Sequence, residues 1–227
     1  MLRNFLLLLV IIAGCQPEPS PVIPSDPPPP PPPASGLKYL ALGDSYTIGQ
    51  SVSEEERFPV QLIVKLRDNG IFFDSLRILA VTGWTTANLK NGLASAQLGN
   101  DYDMVSLLIG VNNQYQGRPI SEYEQHFDDL LDSAIVHAGG DPERVFVLSI
   151  PDYAYTPFGQ NNSNPAQISA GIDAFNAVNK TLTDARGIRY YDITPISRLG
   201  LEQPELVAGD KLHPSGEQYR RWVELIE

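Results

Sequence analysis

The sequence predicts an α/β protein: a three-layer α/β/α sandwich built on a five-stranded parallel sheet. Three observations carry this reading. Five short apolar runs recur between Tyr39 and Ile193, and three of them are nearly continuous, as in strands covered on both faces. Longer stretches with apolar residues at helical spacing separate these runs. A strand–helix–strand order repeated along a chain favours a parallel sheet, and right-handed crossovers leave few topologies for it.

The candidate strands are Tyr39–Gly43, Arg77–Val81, Met104–Gly110, Val145–Ile150 and Arg189–Ile193. Phe58–Asn69 reads as the first long helix. Ser121–Ala138 is the second, with Tyr123, Phe127, Leu130, Leu131, Ala134 and Ile135 along one face. Ser121 and Glu124 have capping-box spacing at its start, and Gly139-Gly140 ends it. Pro165–Arg186 is a third helix closed by Gly187, and Pro214–Ile226 a last one with proline in its first turn. The 227 residues fit one globular domain, 37–227, with appendages before it.

Those appendages read as processing and spacer segments. Arg3 precedes an apolar run, Phe5–Ile12, which is far short of the roughly 20 residues that span a bilayer. Ala13-Gly14 and then Cys15, the one cysteine of the chain, follow it. A plain secretory leader cut near Gly14 would account for the run, as would an uncleaved anchor. The small pair directly before a lone cysteine instead resembles a bacterial lipobox. That resemblance implies a signal peptide over 1–14, a lipidated Cys15 and attachment to the cell envelope. Gln16 is consistent with the outer membrane. Pro17–Gly36 holds 11 of the 20 prolines, seven of them consecutive at Pro27–Pro33. Such a segment stays extended at about 3.1 Å per residue and reads as a stalk of about 60 Å.

The formal net charge is −11, with no run of Lys or Arg. Nucleic acid is therefore a poor partner, and strongly anionic substrates gain no long-range attraction. Neutral substrates fit better.

The chemistry is read from strand ends. Leu37–Leu42 runs into Gly43-Asp44, a turn that places Ser45 where open parallel sheets bind ligands. A serine hydroxyl needs an adjacent base to act as a nucleophile. Of three histidines, His126 and His137 lie inside the Ser121–Ala138 helix, which covers the sheet away from the strand ends. His213 lies in a loop before the last helix, and elimination selects it. Asp210, three residues earlier, suits an orienting carboxylate that leaves Nε2 for the serine. Gly83, after the second strand, offers an unobstructed backbone N–H. Asn112, after the third, offers a side-chain amide. Both are candidate oxyanion donors. Trp84, Tyr153 and Phe158 lie in the same loops and read either as packing or as a wall for an acyl or sugar group.

Other signatures are missing: there is no G-x-S-x-G around Ser45, no G-x-G-x-x-G after the first strand and no phosphate-binding loop. No His, Cys and Asp cluster has metal-ligand spacing.

Gly43-Asp44-Ser45-Tyr46, Gly83, Gly110-Val111-Asn112 and Asp210-Lys211-Leu212-His213 occur in that order. In this the chain resembles the SGNH hydrolases, also called the GDSL esterase/lipase family, with Tyr46 where the family name has Leu. The resemblance spans Leu37–Glu227. It implies a flavodoxin-like fold and hydrolysis of esters or thioesters with no metal or organic cofactor. It also implies Ser45 as nucleophile and backbone oxyanion donor, Gly83 and Asn112 as the other donors, His213 as base and Asp210 as its orienting partner. Asn113 stands where an Asp is common in the family. The substrate readings left open are a carbohydrate or peptidoglycan O-deacetylase and a lysophospholipase or thioesterase. A third reading is a binding lipoprotein that keeps the fold without catalysis.

Overall fold

A computed structural model describes residues 36–226. The leader, Cys15 and the proline-rich stalk lie outside the described residues.

Five strands form one parallel sheet: β1 (Leu37–Gly43), β2 (Phe73–Ala80), β3 (Met104–Leu108), β4 (Val145–Leu148) and β5 (Arg189–Tyr191). Their spatial order is β2-β1-β3-β4-β5. The helices are α1 (Ser45–Ile48), α2 (Phe58–Asp68), α3 (Thr86–Ser95), α4 (Val111–Tyr115), α5 (Ile120–His137), α6 (Pro157–Gln160), α7 (Pro165–Ala185), α8 (Thr194–Ser197) and α9 (Gly216–Leu225). This is the α/β sandwich that the apolar runs predict, with every candidate strand found within a few residues of its expected place.

The central strands are mostly apolar inside, and the one buried hydroxyl of β3, Ser106, is hydrogen-bonded to the Tyr39 hydroxyl at 2.7 Å. Leu40, Leu42, Val105, Leu107, Val145 and Val147 are all buried. Helices α2 and α9 pack on each other, and α3, α5 and α7 pack in series. The first pair is locked by aromatic rings: Phe58 meets Trp222 at 6.1 Å, and Tyr219 meets Trp222 edge-on at 4.8 Å. Such pairs are worth about 0.5–1.5 kcal/mol beyond the area they bury.

The strand order explains where a site can form. After β1 the chain builds β2 on one side, then crosses back to build β3 on the other. The order reverses between β1 and β3, and open parallel sheets bind ligands at the carboxyl end of such a switch point. Register makes the three strands finish level, because Gly43 is paired with Ala80 on one side and Leu108 on the other. Gly43 is needed there: a Cβ would stand 2.5 Å from the Leu108 carbonyl oxygen and 2.1 Å from Thr47 Oγ1.

Several boundaries differ from the sequence reading. β2 begins at Phe73 rather than Arg77, because as an edge strand it exposes Asp74, Ser75 and Arg77, which break its apolar pattern. α5 begins at Ile120, one residue early. Ser121 therefore lies inside the first turn, and the expected capping box does not form. α9 begins at Gly216 and is capped by Ser215, whose hydroxyl accepts from the Gln218 N–H. Pro214 instead pairs with Val207 in an antiparallel bridge. Helix α3 has no counterpart among the expected helices. It is started by a Thr85–Asn88 capping box.

Candidate active site

Ser45 opens α1 directly after the turn that ends β1, and it is buried. Asp44 caps this helix, its Oδ1 accepting the Tyr46 N–H at 3.0 Å. Asp44 is itself wholly buried, and burial pushes its carboxyl up to about 7 against the opposing hydrogen bonds from Tyr46 and Asn112. In a low-dielectric site the charged form is the costly one.

Gly83 sits in a turn closed by Trp84 N–H donating to Val81 O at 3.2 Å. Its φ of +85° fits the third position of a type II turn, where glycine carries no penalty. Asn112 lies in the first turn of α4. Its amide donates to Trp84 O at 3.0 Å and, at a longer 3.4 Å, to Asp44 Oδ2. Asn113 is fully buried and exchanges two hydrogen bonds of 2.9 Å with Thr86, tying α4 to the start of α3. A carboxamide does there what a carboxylate alone cannot, because it both donates and accepts.

His213 Nδ1 meets Asp210 Oδ2 at 2.5 Å. This fixes the ring and leaves Nε2 as the nitrogen free to serve a hydroxyl. Tyr46 touches the same ring edge-on at 5.7 Å. Asp210 Oδ1 accepts the backbone N–H groups of Leu212 and His213, both at 3.0 Å. Partial burial opposes ionisation of Asp210. Hydrogen bonds from Ser51, His213 and the two backbone groups outweigh that burial and hold the carboxyl well below its usual range.

Ser51 was not apparent from the sequence. It donates to Asp210 Oδ2 at 2.6 Å. Ser51 and Lys211 are the two non-glycine residues with positive φ among those described, at 70° and 68°. Both flank Asp210, so the local backbone strain is concentrated at this carboxylate.

A pocket of about 170 Å³ brings these groups together, lined by Ser45, Tyr46, Thr82, Gly83, Val111, Asn112, Tyr115, Tyr153, Phe158, Leu212 and His213. Within the described residues the Ser45 hydroxyl makes no hydrogen bond, to His213 or to any other group. Catalytic hydrogen bonds often close only once substrate is bound.

The aromatic candidates divide. Phe158 lies on the pocket wall and is partly exposed. Tyr153 also lines the pocket, but it is buried, and its hydroxyl donates to Gln114 Oε1 at 3.0 Å. Trp84 is not on the wall: its ring covers Gly92 of α3, and its contribution near the site is the carbonyl that holds Asn112. His126 and His137 bond instead to Thr86 Oγ1 and the Gly99 carbonyl, away from the pocket.

An open parallel sheet with a serine, a histidine and two candidate oxyanion donors around one pocket at its switch point is the architecture of an α/β ester hydrolase. The chain belongs to the GDSL-like lipase/acylhydrolase family, whose profile matches residues 41–221, and it is a carboxylic ester hydrolase. No curated protein matches the sequence. Among solved structures it is similar to an acetylxylan esterase from Geobacillus stearothermophilus, with 17% identity, 85% of this chain and 93% of that chain covered, and a TM-score of 0.63. It is also similar to a lipase/acylhydrolase from Enterococcus faecalis, at 20% identity, 84% and 93% coverage and a TM-score of 0.63. A lipase from a goat rumen metagenome matches at 21% identity, 84% and 95% coverage and a TM-score of 0.66. These likenesses show a shared fold.

Proposed function

We propose that the protein hydrolyses short-chain carboxylic esters through an acyl-enzyme on Ser45. The observation that carries this is the shared pocket, which has Ser45, Gly83, Asn112 and His213 on its walls. His213 Nε2 takes the Ser45 proton as Oγ bonds to the acyl carbon. The oxyanion so formed accepts from the N–H groups of Ser45 and Gly83 and from the Asn112 amide, which gives up its long contact to Asp44. The C–O bond of the ester then breaks, and the alcohol leaves with the proton from His213. Water repeats the sequence on the acyl-enzyme, releasing the acid and restoring Ser45. Asp210 holds the ring and its tautomer throughout.

A pocket of about 170 Å³ suits a short acyl group better than a long chain. Of the substrate readings, O-deacetylation of envelope carbohydrate is therefore favoured over lysophospholipid or thioester hydrolysis. The leader pattern ending at Cys15 and the proline-rich spacer support an envelope lipoprotein, anchored at the outer membrane, with the catalytic domain on a stalk. Lipid labelling that disappears in Cys15→Ala supports the anchor, and labelling that persists contradicts it.

The test of the activity is Ser45→Ala against p-nitrophenyl acetate and longer acyl homologues. Turnover should fall at least about a thousandfold with the circular dichroism spectrum unchanged. Full turnover in the variant, or a preference for long chains, would overturn the respective claim.

A further inference from the structure

We propose that a hollow beside the catalytic pocket is a subsite for a neutral sugar ring in the alcohol portion of the ester. The proposal rests on the ester-hydrolase reading above and names its substrate class. The hollow has a volume of about 260 Å³ and is lined by Tyr115, Tyr153, Phe158, Gly159, Asn161 and Asn162. Its three aromatic residues also line the pocket that holds Ser45, so the two spaces are continuous along one wall.

Two large aromatic side chains are kept at the surface here: Tyr115 is 59% exposed and Phe158 39%. They are not loose. Tyr115 packs edge-on against Tyr153 at 6.0 Å and, with the rings tilted, against Phe158 at 6.3 Å. The Phe158 N–H donates to Lys211 O at 3.0 Å, which joins this wall to the loop of Asp210 and His213. Pre-organised aromatic faces next to a reacting centre have a ligand-sized apolar surface to cover.

The polar part of the lining selects among ligands. Asn161 makes no side-chain hydrogen bond within the described residues. Asn162 accepts from the Asn164 N–H at 3.0 Å through Oδ1, which leaves its amide N–H groups available. No charged side chain lines the hollow. A sugar ring meets both requirements, since its C–H face lies on the negative face of an aromatic ring while its hydroxyls bond to carboxamides. A phosphate headgroup would find no cation on this wall, and a fatty acyl chain would make no use of the two carboxamides.

The test compares esters that share an acetyl group and differ in alcohol: ethyl acetate against mono-O-acetylated methyl glucoside, methyl xyloside and methyl N-acetylglucosaminide. For at least one sugar, kcat/KM of the wild type should exceed that of ethyl acetate by about tenfold or more. Tyr115→Ala and Asn161→Ala should each lower that ratio about threefold or more, chiefly through KM. A ratio near one for all three sugars overturns the subsite, as does a ratio unmoved by both variants. A preference for p-nitrophenyl octanoate over acetate that disappears in Tyr115→Ala would assign the hollow to an acyl chain instead. If no ester is turned over, the hydrolase reading fails separately. The subsite is then decided by saturation-transfer NMR of the three unacetylated glycosides on the Ser45→Ala protein. Binding lost on adding Asn161→Ala supports it, and no binding contradicts it.

Discussion

Ser51 donates its hydroxyl to Asp210 Oδ2 at 2.6 Å, and that same oxygen meets His213 Nδ1 at 2.5 Å. One carboxylate oxygen thus couples the turn after α1 to the ring of His213, and the adopted φ of +70° at Ser51 is what lets the turn reach it. A hydrogen bond to a charged group contributes more than one between neutral groups, though partial exposure lowers its value here to about 1 kcal/mol. Ser51→Ala should cost about that much stability and lower kcat several-fold, with KM little changed. Its effect on acid stability has a definite sign. Asp210 titrates below its unfolded value of 3.8, so its contribution is present above that pH and is lost as pH falls through the lower folded value. Removing Ser51 brings the folded value back up, and the acid-unfolding midpoint should move to higher pH. A midpoint that moves down, measured by fluorescence, would contradict this.

Asp44 works in the opposite direction. Its folded value of about 7 lies above the ordinary 3.8, so between these pH values the folded protein binds the extra proton. The stability tied to Asp44 therefore falls as pH rises from about 4 to about 7, and a tenfold change in proton affinity is worth about 1.4 kcal/mol. Asp44→Asn should flatten that decline, gaining on the wild type from pH 4 to pH 8. Urea unfolding at several pH values checks it, and parallel curves would contradict it.

Asn112 is the donor whose removal should harm the chemical step most selectively. Loss of one oxyanion donor typically costs about 2.7–4 kcal/mol of transition-state stabilisation. Asn112→Ala should lower kcat toward p-nitrophenyl acetate by about 100- to 1,000-fold while KM stays within about threefold. A variant that changes KM alone would place the residue in ground-state binding.

Arg198 supports the aromatic wall from behind. It pairs with the fully buried Asp152 carboxylate at 3.0 Å, and Asp152 Oδ1 caps the turn that carries Tyr153. Removing one member of such a pair leaves a buried charge without its partner. Because Arg198 is partly exposed, Arg198→Ala should cost about 2 kcal/mol. Thermal unfolding measures this, and an unchanged Tm would show that water replaces the guanidinium.

Much of the site was legible because its residues lie at strand ends marked by apolar runs. Gly43-Asp44-Ser45 and Gly110-Val111-Asn112 follow such runs directly, and His213 was isolated because the other two histidines fall inside a helix. Ser51 was not legible: its bond to Asp210 joins positions 159 residues apart, and no local pattern links them. The sequence leaves Trp84 open between packing and pocket wall for a related reason. Its place next to Gly83 says where its backbone lies, whereas the glycine at position 92 that receives its ring is eight residues away on another element. The hollow by Tyr115 was likewise invisible, since Tyr115 ends a short helix whose packing against Tyr153 and Phe158 is set by the fold.

The most direct measurement of the central claim is mass-spectrometric mapping of the adduct formed with a serine-directed fluorophosphonate. The account predicts one adduct, on Ser45, lost in Ser45→Ala and strongly slowed in a His213→Ala variant that remains folded. An unreactive wild-type protein, or an adduct on any other residue that tracks loss of activity, would contradict it.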